Sequence, residues 1–192
     1  MFYFLHRMVK WVFTALIAAG LYWAWLQREA LEPVYVWYDV YENGGLKNDR
    51  ELHILRGRAL AVGDSLSFPM LQDGRTLTVT LVGLKLPDPP LSNTDLARAK
   101  ERRRFLREAI LSKEVAVQIT YAAPGSILGI VTAGGTNLNL YMITNNLAEF
   151  NPDWIKGMPR NHQYHFFAAE RLREKQLHSQ QQAALASIGS TN

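Results

Sequence analysis

The stretch from Leu66 to Leu81 reads LSFPMLQDGRTLTVTL, and it decides the fold. Apolar residues recur at every second position on both sides of Asp73-Gly74, which is typical of strands with one buried face. An Asp-Gly pair favours the two-residue turn that joins antiparallel strands. The stretch therefore predicts a β-hairpin.

Three more runs show the same alternation and extend the hairpin into a sheet. One precedes it, around residues 52–54, with Gly63-Asp64 as the intervening hairpin turn, and two follow it, at 114–121 and 126–132. Antiparallel strands expose unpaired edges unless the sheet closes. Five strands in this order therefore favour a small closed barrel of the OB type.

About three helices are predicted around these strands, so the fold class is α+β. The first follows the proline-rich residues 86–90 and is capped by Asn93 or Thr94. The second starts near Thr136, and a long last helix runs from about His162. The apolar positions that share one face of the first helix are Leu96, Ala99, Leu106 and Ile110.

The N-terminal part of the chain differs from the rest because it contains a long apolar stretch. Trp11 to Leu26 reads WVFTALIAAGLYWAWL without a charge, and we expect a single transmembrane helix within residues 1–31. Arg7 and Lys10 precede it, so the N-terminus is expected in the cytoplasm and the rest outside it, in the periplasm if the source is bacterial. A cleaved signal peptide and a buried helix are the alternatives. The aromatic side chains expected at its membrane interfaces include Trp11, Tyr22, Trp23 and Trp25.

An aromatic membrane-proximal segment is expected over 32–50, ahead of a barrel domain at 51–178. Glu32-Pro33 should end the first helix, and Val34 to Tyr41 (VYVWYDVY) is β-branched and aromatic, which predicts a strand. Its side chains either pack on this domain or dock on a neighbouring membrane protein. The candidates for such docking are Tyr35, Trp37, Tyr38 and Tyr41. A polar turn or linker follows at 42–50.

Composition excludes several chemistries. The chain has 192 residues, a net charge of +4 and no cysteine, which rules out disulfides, thiolate zinc sites and iron–sulfur clusters. His162 and His165 lack a convincing third ligand, so they do not predict a metal site. The stretch 179–192 has no charged side chain and is expected to fray as a polar tail.

The region from about Leu55 to Leu177 resembles the staphylococcal (thermonuclease-like) nuclease family. Leu128 to Phe150 (LGIVTAGGTNLNLYMITNNLAEF) is similar to the strand, glycine turn and helix of that family. Val62-Gly63-Asp64-Ser65 resembles its Asp-Gly-Asp-Thr turn, and Leu81 to Asp88 ends in a similar Pro-acid pair. The resemblance implies an OB-type barrel and calcium-dependent phosphodiester hydrolysis.

The residues that this family uses for hydrolysis are mostly replaced. The first metal carboxylate falls on Asp64, but the second falls on Lys85, whose charge repels a cation. The glutamate that acts as general base falls on Asp88. The two phosphate-binding arginines fall on Thr80 and Ser126. The resemblance therefore implies a pseudonuclease without catalytic residues or cofactor, unless Arg75 or Lys85 serves a displaced site.

The strongest charge feature is the helix segment Arg98–Lys113, where seven basic residues face two acidic ones. Most of these cations should lie away from the apolar face, with Arg103 nearest to it. Three roles remain open for these basic residues. They form a solvated helix face, a site for anionic lipid or an acidic partner, or a site for nucleic acid. Nucleic acid is disfavoured because few aromatic residues on the strands could stack on bases. The cations considered for partner binding are Arg102, Arg103, Arg104 and Arg107.

Together these features predict a single-pass membrane protein with a degenerate nuclease-like barrel. We expect it to be a non-catalytic accessory subunit that assembles with other membrane-protein subunits. A membrane-tethered metal-dependent nuclease with a displaced site is one alternative. A non-catalytic module that binds nucleic acid or lipid headgroups is the other.

Overall fold

A computed structural model gives the structure of most of the chain, which divides into two compact units, Met1–Tyr38 and Asp39–Asn192. The backbone is described over 2–26, 31–44 and 51–189. Side chains are described over 11–23, 31–44 and 51–186.

The first unit consists of α1 (Phe2–Leu26) and most of α2 (Glu32–Glu42). All side chains of α1 between 11 and 23 are exposed, although most of them are apolar. Among the described residues, no helix combines the length and the apolar character that a bilayer span requires. The predicted interfacial residue Trp25 lies outside the described side chains.

The prediction of a strand over Val34 to Tyr41 is wrong, because this segment is helical. α2 begins at Glu32, so Pro33 lies in the first turn of a helix rather than ending one. A proline is tolerated there because the N–H that it lacks would have no intrahelical partner. The amide of Tyr35 donates to the carbonyl of Leu31, as in an α-helix. β-propensity depends on context, and here it is overridden.

The second unit is built on a closed barrel of five strands, as the alternation predicted. The strands of the barrel are β1 (Ile54–Ala59), β2 (Ser67–Gln72), β3 (Arg75–Leu81), β5 (Glu114–Ala123) and β6 (Ser126–Ala133). Strand order is β3-β2-β1-β5-β6, and a parallel pairing of β3 with β6 closes the barrel. Because closure pairs the outer strands with each other, the barrel leaves no open edge among these five. The short strands are β4 (Leu84–Lys85), β7 (Thr136–Asn137) and β8 (Glu149–Phe150).

The two predicted hairpin turns have different outcomes. Asp73 and Gly74 both adopt positive φ, 48° and 76°, and form the two-residue turn between β2 and β3. Gly63-Asp64 instead lies inside a longer loop over residues 60–66, although β1 and β2 do pair antiparallel. The expectation of a tight turn there was therefore wrong.

Helices cover the barrel, and their starts differ from the predictions by one or two residues. α3 begins after Ser92, not after Asn93 or Thr94, because Ser92 and Asp95 form a reciprocal capping box. α4 begins after Asn137, whose side chain accepts from the amide of Leu140. The helices of the second unit are α3 (Asn93–Ile110), α4 (Leu138–Thr144), a 3₁₀ turn (Pro152–Ile155) and α5 (Arg160–Gly189).

The expected fraying after residue 178 is not seen up to Gly189. The backbone remains helical over this part of α5, while its described side chains at 179–186 are all exposed. Residues 190–192 of the predicted tail lie outside the described part.

Two buried amide side chains join elements of the second unit. Asn139 is fully buried at the start of α4; its Oδ1 accepts from the amide of Val131, and its Nδ2 donates to the carbonyl of Val82. Gln163 in α5 is also fully buried and accepts from the Nδ2 of Asn43, next to the end of α2, at 3.0 Å. These bonds replace water contacts that burial removes.

A glycine makes the turn after the third strand possible. Gly83 has φ of +75°, and a Cβ there would lie 2.7 Å from the ring of Phe166. Only glycine meets both conditions without strain. This turn sends the chain from β3 into β4, where the residues of the candidate site begin.

Candidate functional site

The two positions that the nuclease resemblance assigns to phosphate-binding arginines are short hydroxyl residues on neighbouring strands. Thr80 lies in β3, and its Oγ1 is 2.7 Å from the Oγ of Ser67 on β2. Ser126 begins β6 and pairs in register with Thr78. Neither hydroxyl carries the positive charge that a transferring phosphoryl group requires.

The position assigned to the second metal carboxylate is occupied by an ammonium group. Lys85 Nζ lies 3.3 Å from Asp88 Oδ2 and 3.9 Å from Glu149 Oε2. The pairing of β4 with β8 brings Lys85 and Glu149 opposite each other. An ammonium between two carboxylates supplies the charge compensation that a cation would otherwise give.

Asp64, the predicted metal ligand, also faces a cation. Its Oδ1 lies 3.3 Å from Arg103 Nη1 on α3, and the carboxylate is largely exposed. Within the described ranges, no group of three or more His, Cys, Asp or Glu side chains converges on a point. The structure therefore does not bring Asp64, Asp88 and Glu149 together into one site.

Arg102, which was predicted as a possible partner-binding cation, is buried, with only 4% of its surface exposed. Its guanidinium donates to the carbonyl of Leu147 at 3.0 Å and to the carbonyl of Asp64 at 3.3 Å. Burial lowers the pKa of Arg102, and the nearby Asp64 charge partly opposes this. The prediction that Arg103 lies nearest the apolar face was wrong, because Arg102 shares the four-residue spacing of Leu106 and Ile110.

The other predicted cations of α3 lie on its surface. Lys100, Arg103, Arg104 and Arg107 are exposed and stand at the spacing i, i+3, i+4, i+7, which places them on one side of the helix. Arg103 pairs with Asp64, and Arg104 lies 3.8 Å from Glu101. Neither Lys100 nor Arg107 has an ion pair with another described residue.

The positive surface continues past the end of α3 onto the barrel. Arg58 on β1 donates from Nε to the carbonyl of Ser112, two residues after the helix ends. Arg56, two positions earlier on the same strand, lies 3.6 Å from Glu114. We call the exposed cations of this surface the basic band: Arg56, Arg58, Lys100, Arg103, Arg104, Arg107 and Lys113.

Sequence reasoning missed the contribution of β1 to the basic band. The signal was present, because Arg56 and Arg58 are two residues apart and therefore point to the same side of a strand. What the sequence could not supply is that β1 ends beside the turn after α3. The amide of Ala59 donates to the carbonyl of Lys113, and the amide of Ser112 donates to the carbonyl of Ala59.

A polar groove of about 300 Å³ lies on the opposite flank of α3, between this helix and α5. Arg173 is held there by Glu170, and its Nη1 donates to Asn146 Oδ1 at 3.2 Å. Arg98, at the other wall, lies 3.5 Å from Asp95. Because these guanidiniums already have partners, the groove presents little free charge.

The aromatic residues predicted to contact membrane or partner are exposed where they are described. In α1, Trp11 is 71% exposed and Trp23 62%, and Tyr22 is exposed to a similar extent. In α2, the side chain of Tyr41 is 72% exposed. The other aromatic side chains predicted for docking are about half exposed: Tyr35, Trp37 and Tyr38.

Two comparisons by sequence give no relative from which a function could be transferred. No family model matches the chain, and no curated protein matches it significantly.

Proposed function

We propose that this protein is a non-catalytic accessory subunit of a membrane complex, held in the bilayer by α1 and carrying a degenerate nuclease-like domain. The proposal rests on the exposed apolar side chains of α1. Soluble monomers rarely expose a contiguous apolar surface of this kind, and a bilayer would cover it. The described side chains of α1 are those of residues 11–23, and the uncharged sequence that starts at Trp11 continues beyond them to Leu26.

The orientation follows from the charges that flank this stretch. Arg7 and Lys10 precede it, while Arg28 is followed by Glu29 and Glu32. The positive-inside rule then keeps the N-terminus in the cytoplasm and places the barrel on the extracytoplasmic side.

The barrel is part of the support for an OB-type domain, and the resemblance of the sequence is what suggests the nuclease family. The strand order of the barrel and its single parallel closure between β3 and β6 fit a five-stranded Greek-key barrel of the OB type. The substitutions at Thr80, Lys85 and Ser126 support a loss of catalysis, because the phosphate would lack cationic donors and the cation would meet an ammonium.

The exposed aromatic side chains of α2 support a role in assembly. Aromatic residues are enriched at protein interfaces, where a large apolar area and a polar tip are both used. The end of this helix belongs to the second unit, where Asn43 donates to Pro152 and Gln163.

Membrane fractionation of the full chain tests the anchor. We expect the protein to stay in the membrane pellet after alkaline extraction, whereas Leu16→Arg is released into the supernatant. The matched control is Leu185→Arg, which places the same charge on an exposed apolar position of α5 and should leave the protein in the pellet. Release of the unmodified chain would overturn the proposed anchor.

Extraction in mild detergent tests the accessory role. We expect the protein to migrate on native gels in a complex well above its monomer mass of 21.8 kDa. In the double variant Tyr38→Ala, Tyr41→Ala, the protein should dissociate from the complex and migrate at its monomer mass. Before detergent is added, the same variant should still sediment with the membranes. Migration of the unmodified protein alone would overturn the subunit proposal, while calcium-dependent DNA cleavage would favour a displaced nuclease site.

A further inference from the structure

We infer that the basic band binds the anionic headgroups of a phospholipid bilayer. This inference rests on the proposed membrane anchor, because an anchored barrel meets the lipid surface at a high local concentration. It adds to that proposal a surface, a ligand class and a lipid dependence.

The charge balance of the basic band favours an anionic ligand. Its seven cations are accompanied by five nearby carboxylates, so the surface keeps a net positive charge of two. Those carboxylates are Asp64, Asp73, Glu101, Glu108 and Glu114. Arg58 and Lys113 donate to backbone carbonyls, which satisfies hydrogen bonds without neutralising the positive charge.

An exposed leucine in line with these cations favours lipid over nucleic acid or an acidic protein. Leu96 was predicted on the apolar face with Leu106 and Ile110, but that placement was wrong, because Leu96 is 53% exposed. It stands four residues before Lys100, on the side of α3 that also carries Arg107. A membrane surface can accept both kinds of side chain, because cations contact the headgroups while an apolar side chain enters the boundary with the acyl chains. Nucleic acid would be better served by aromatic residues that stack on bases, and no aromatic residue shares the side of α3 that carries Lys100, Arg104 and Arg107.

The cations are spaced for several headgroups rather than for one small anion. Along α3 they extend from Lys100 to Arg107, which is about 10 Å at 1.5 Å per residue. Arg58 and Arg56 then continue the band on β1. Each cation near an anionic bilayer strengthens binding by roughly fivefold, and salt weakens the attraction.

A fluorescent reporter can test this in the full chain, because the protein has no cysteine of its own. Ala97→Cys places a label at an exposed position of α3, next to the band. The labelled protein is reconstituted into vesicles of phosphatidylcholine alone or mixed with phosphatidylglycerol. We expect a blue shift of the label only with phosphatidylglycerol, and its reversal by high salt.

Charge reversal identifies the surface responsible. The triple variant Lys100→Glu, Arg104→Glu, Arg107→Glu should lose the shift, with apparent lipid affinity reduced by about a hundredfold or more. The control reverses the same number of exposed charges elsewhere, as Arg75→Glu, Lys156→Glu, Lys175→Glu, and should keep the shift. Circular dichroism melting checks that both variants fold.

The outcomes separate this inference from the anchor. Flotation with phosphatidylcholine vesicles reports the anchor alone, so a chain that floats with both lipids but shows no shift overturns the inference and leaves the anchor standing. Equal loss in both triple variants would also overturn it. Single-stranded DNA that binds the basic band, with no response to phosphatidylglycerol, would assign the surface to nucleic acid instead.

Discussion

Lys85 and Asp88 form an ion pair, with Nζ 3.3 Å from Oδ2, at the position that the proposed nuclease resemblance assigns to a metal carboxylate. Glu149, on the strand that pairs with β4, has its Oε2 3.9 Å from the same ammonium group. The lysine therefore compensates the charge of two carboxylates, a role that a divalent cation could otherwise fill.

Replacing this lysine should create a weak calcium site. Lys85→Asp replaces the ammonium group with a third carboxylate, on the same segment as Asp88 and opposite Glu149 in the strand register. Hard oxygen ligands of this kind bind calcium. We expect calcium at several times its dissociation constant to stabilise the variant by about 1 kcal/mol, measured as a rise in melting temperature. Lys156→Asp is the control, and it should not respond. A calcium response of the unmodified chain would contradict this reading of the site.

The unmodified chain should not hydrolyse DNA at the rate of the family it resembles. Thr80 and Ser126 supply no guanidinium, and loss of each transition-state donor costs about 3 kcal/mol. Two such losses reduce the rate by about ten-thousandfold. Digestion of single-stranded DNA with and without calcium measures this, with an active nuclease as the positive control. Rapid calcium-dependent cleavage would show that another site acts.

Arg102→Met should destabilise the second unit by about 2–4 kcal/mol. Methionine fills similar space, but it leaves the carbonyl of Leu147 without its donor in a buried place. Urea unfolding measures the loss. Arg104→Met, at a side chain that is 71% exposed, should change the free energy of unfolding by less than about 0.5 kcal/mol. Equal effects of the two substitutions would count against a structural role for Arg102.

Asn139→Ala should cost about 3 kcal/mol or more. The substitution removes partners from the amide of Val131 and the carbonyl of Val82, both of which are buried with the side chain. Asn145→Ala, at an exposed position just after the same helix, is the control and should cost far less. Thermal melting of both variants distinguishes them.

Asp95 should make the stability of α3 depend on pH in the acid range. The side chain and the amide of Ser92 donate to its carboxylate, and these bonds, helped by Arg98, lower the pKa of Asp95 below its ordinary value of 3.8. The carboxylate therefore stabilises the folded state above pH 3.8, and this contribution is lost as pH falls through the lowered pKa. Urea unfolding at a series of pH values measures this contribution. The free energy of unfolding of the unmodified chain should exceed that of Asp95→Ala, and this difference should shrink below about pH 4. An advantage that stays constant down to pH 2 would contradict the proposed capping box.

The sequence by itself determined the barrel strands and the helix that carries the cations. These features repeat locally, with period two along a strand and three to four along a helix, so neighbouring residues are enough to reveal them. The turn at Asp73-Gly74 belongs to the same class, because it depends on two residues and their backbone angles.

Only the tertiary structure decided which polar side chains are buried and which charges meet. Arg102 rather than Arg103 turns inward because residues from two distant loops, Asp64 and Leu147, present their carbonyls on that side. Lys85 meets Glu149 because β4 pairs with β8, more than 60 residues away in the chain. α2 is helical despite its strand-like composition. Local pattern could not supply these results, since each depends on contacts between segments far apart in sequence.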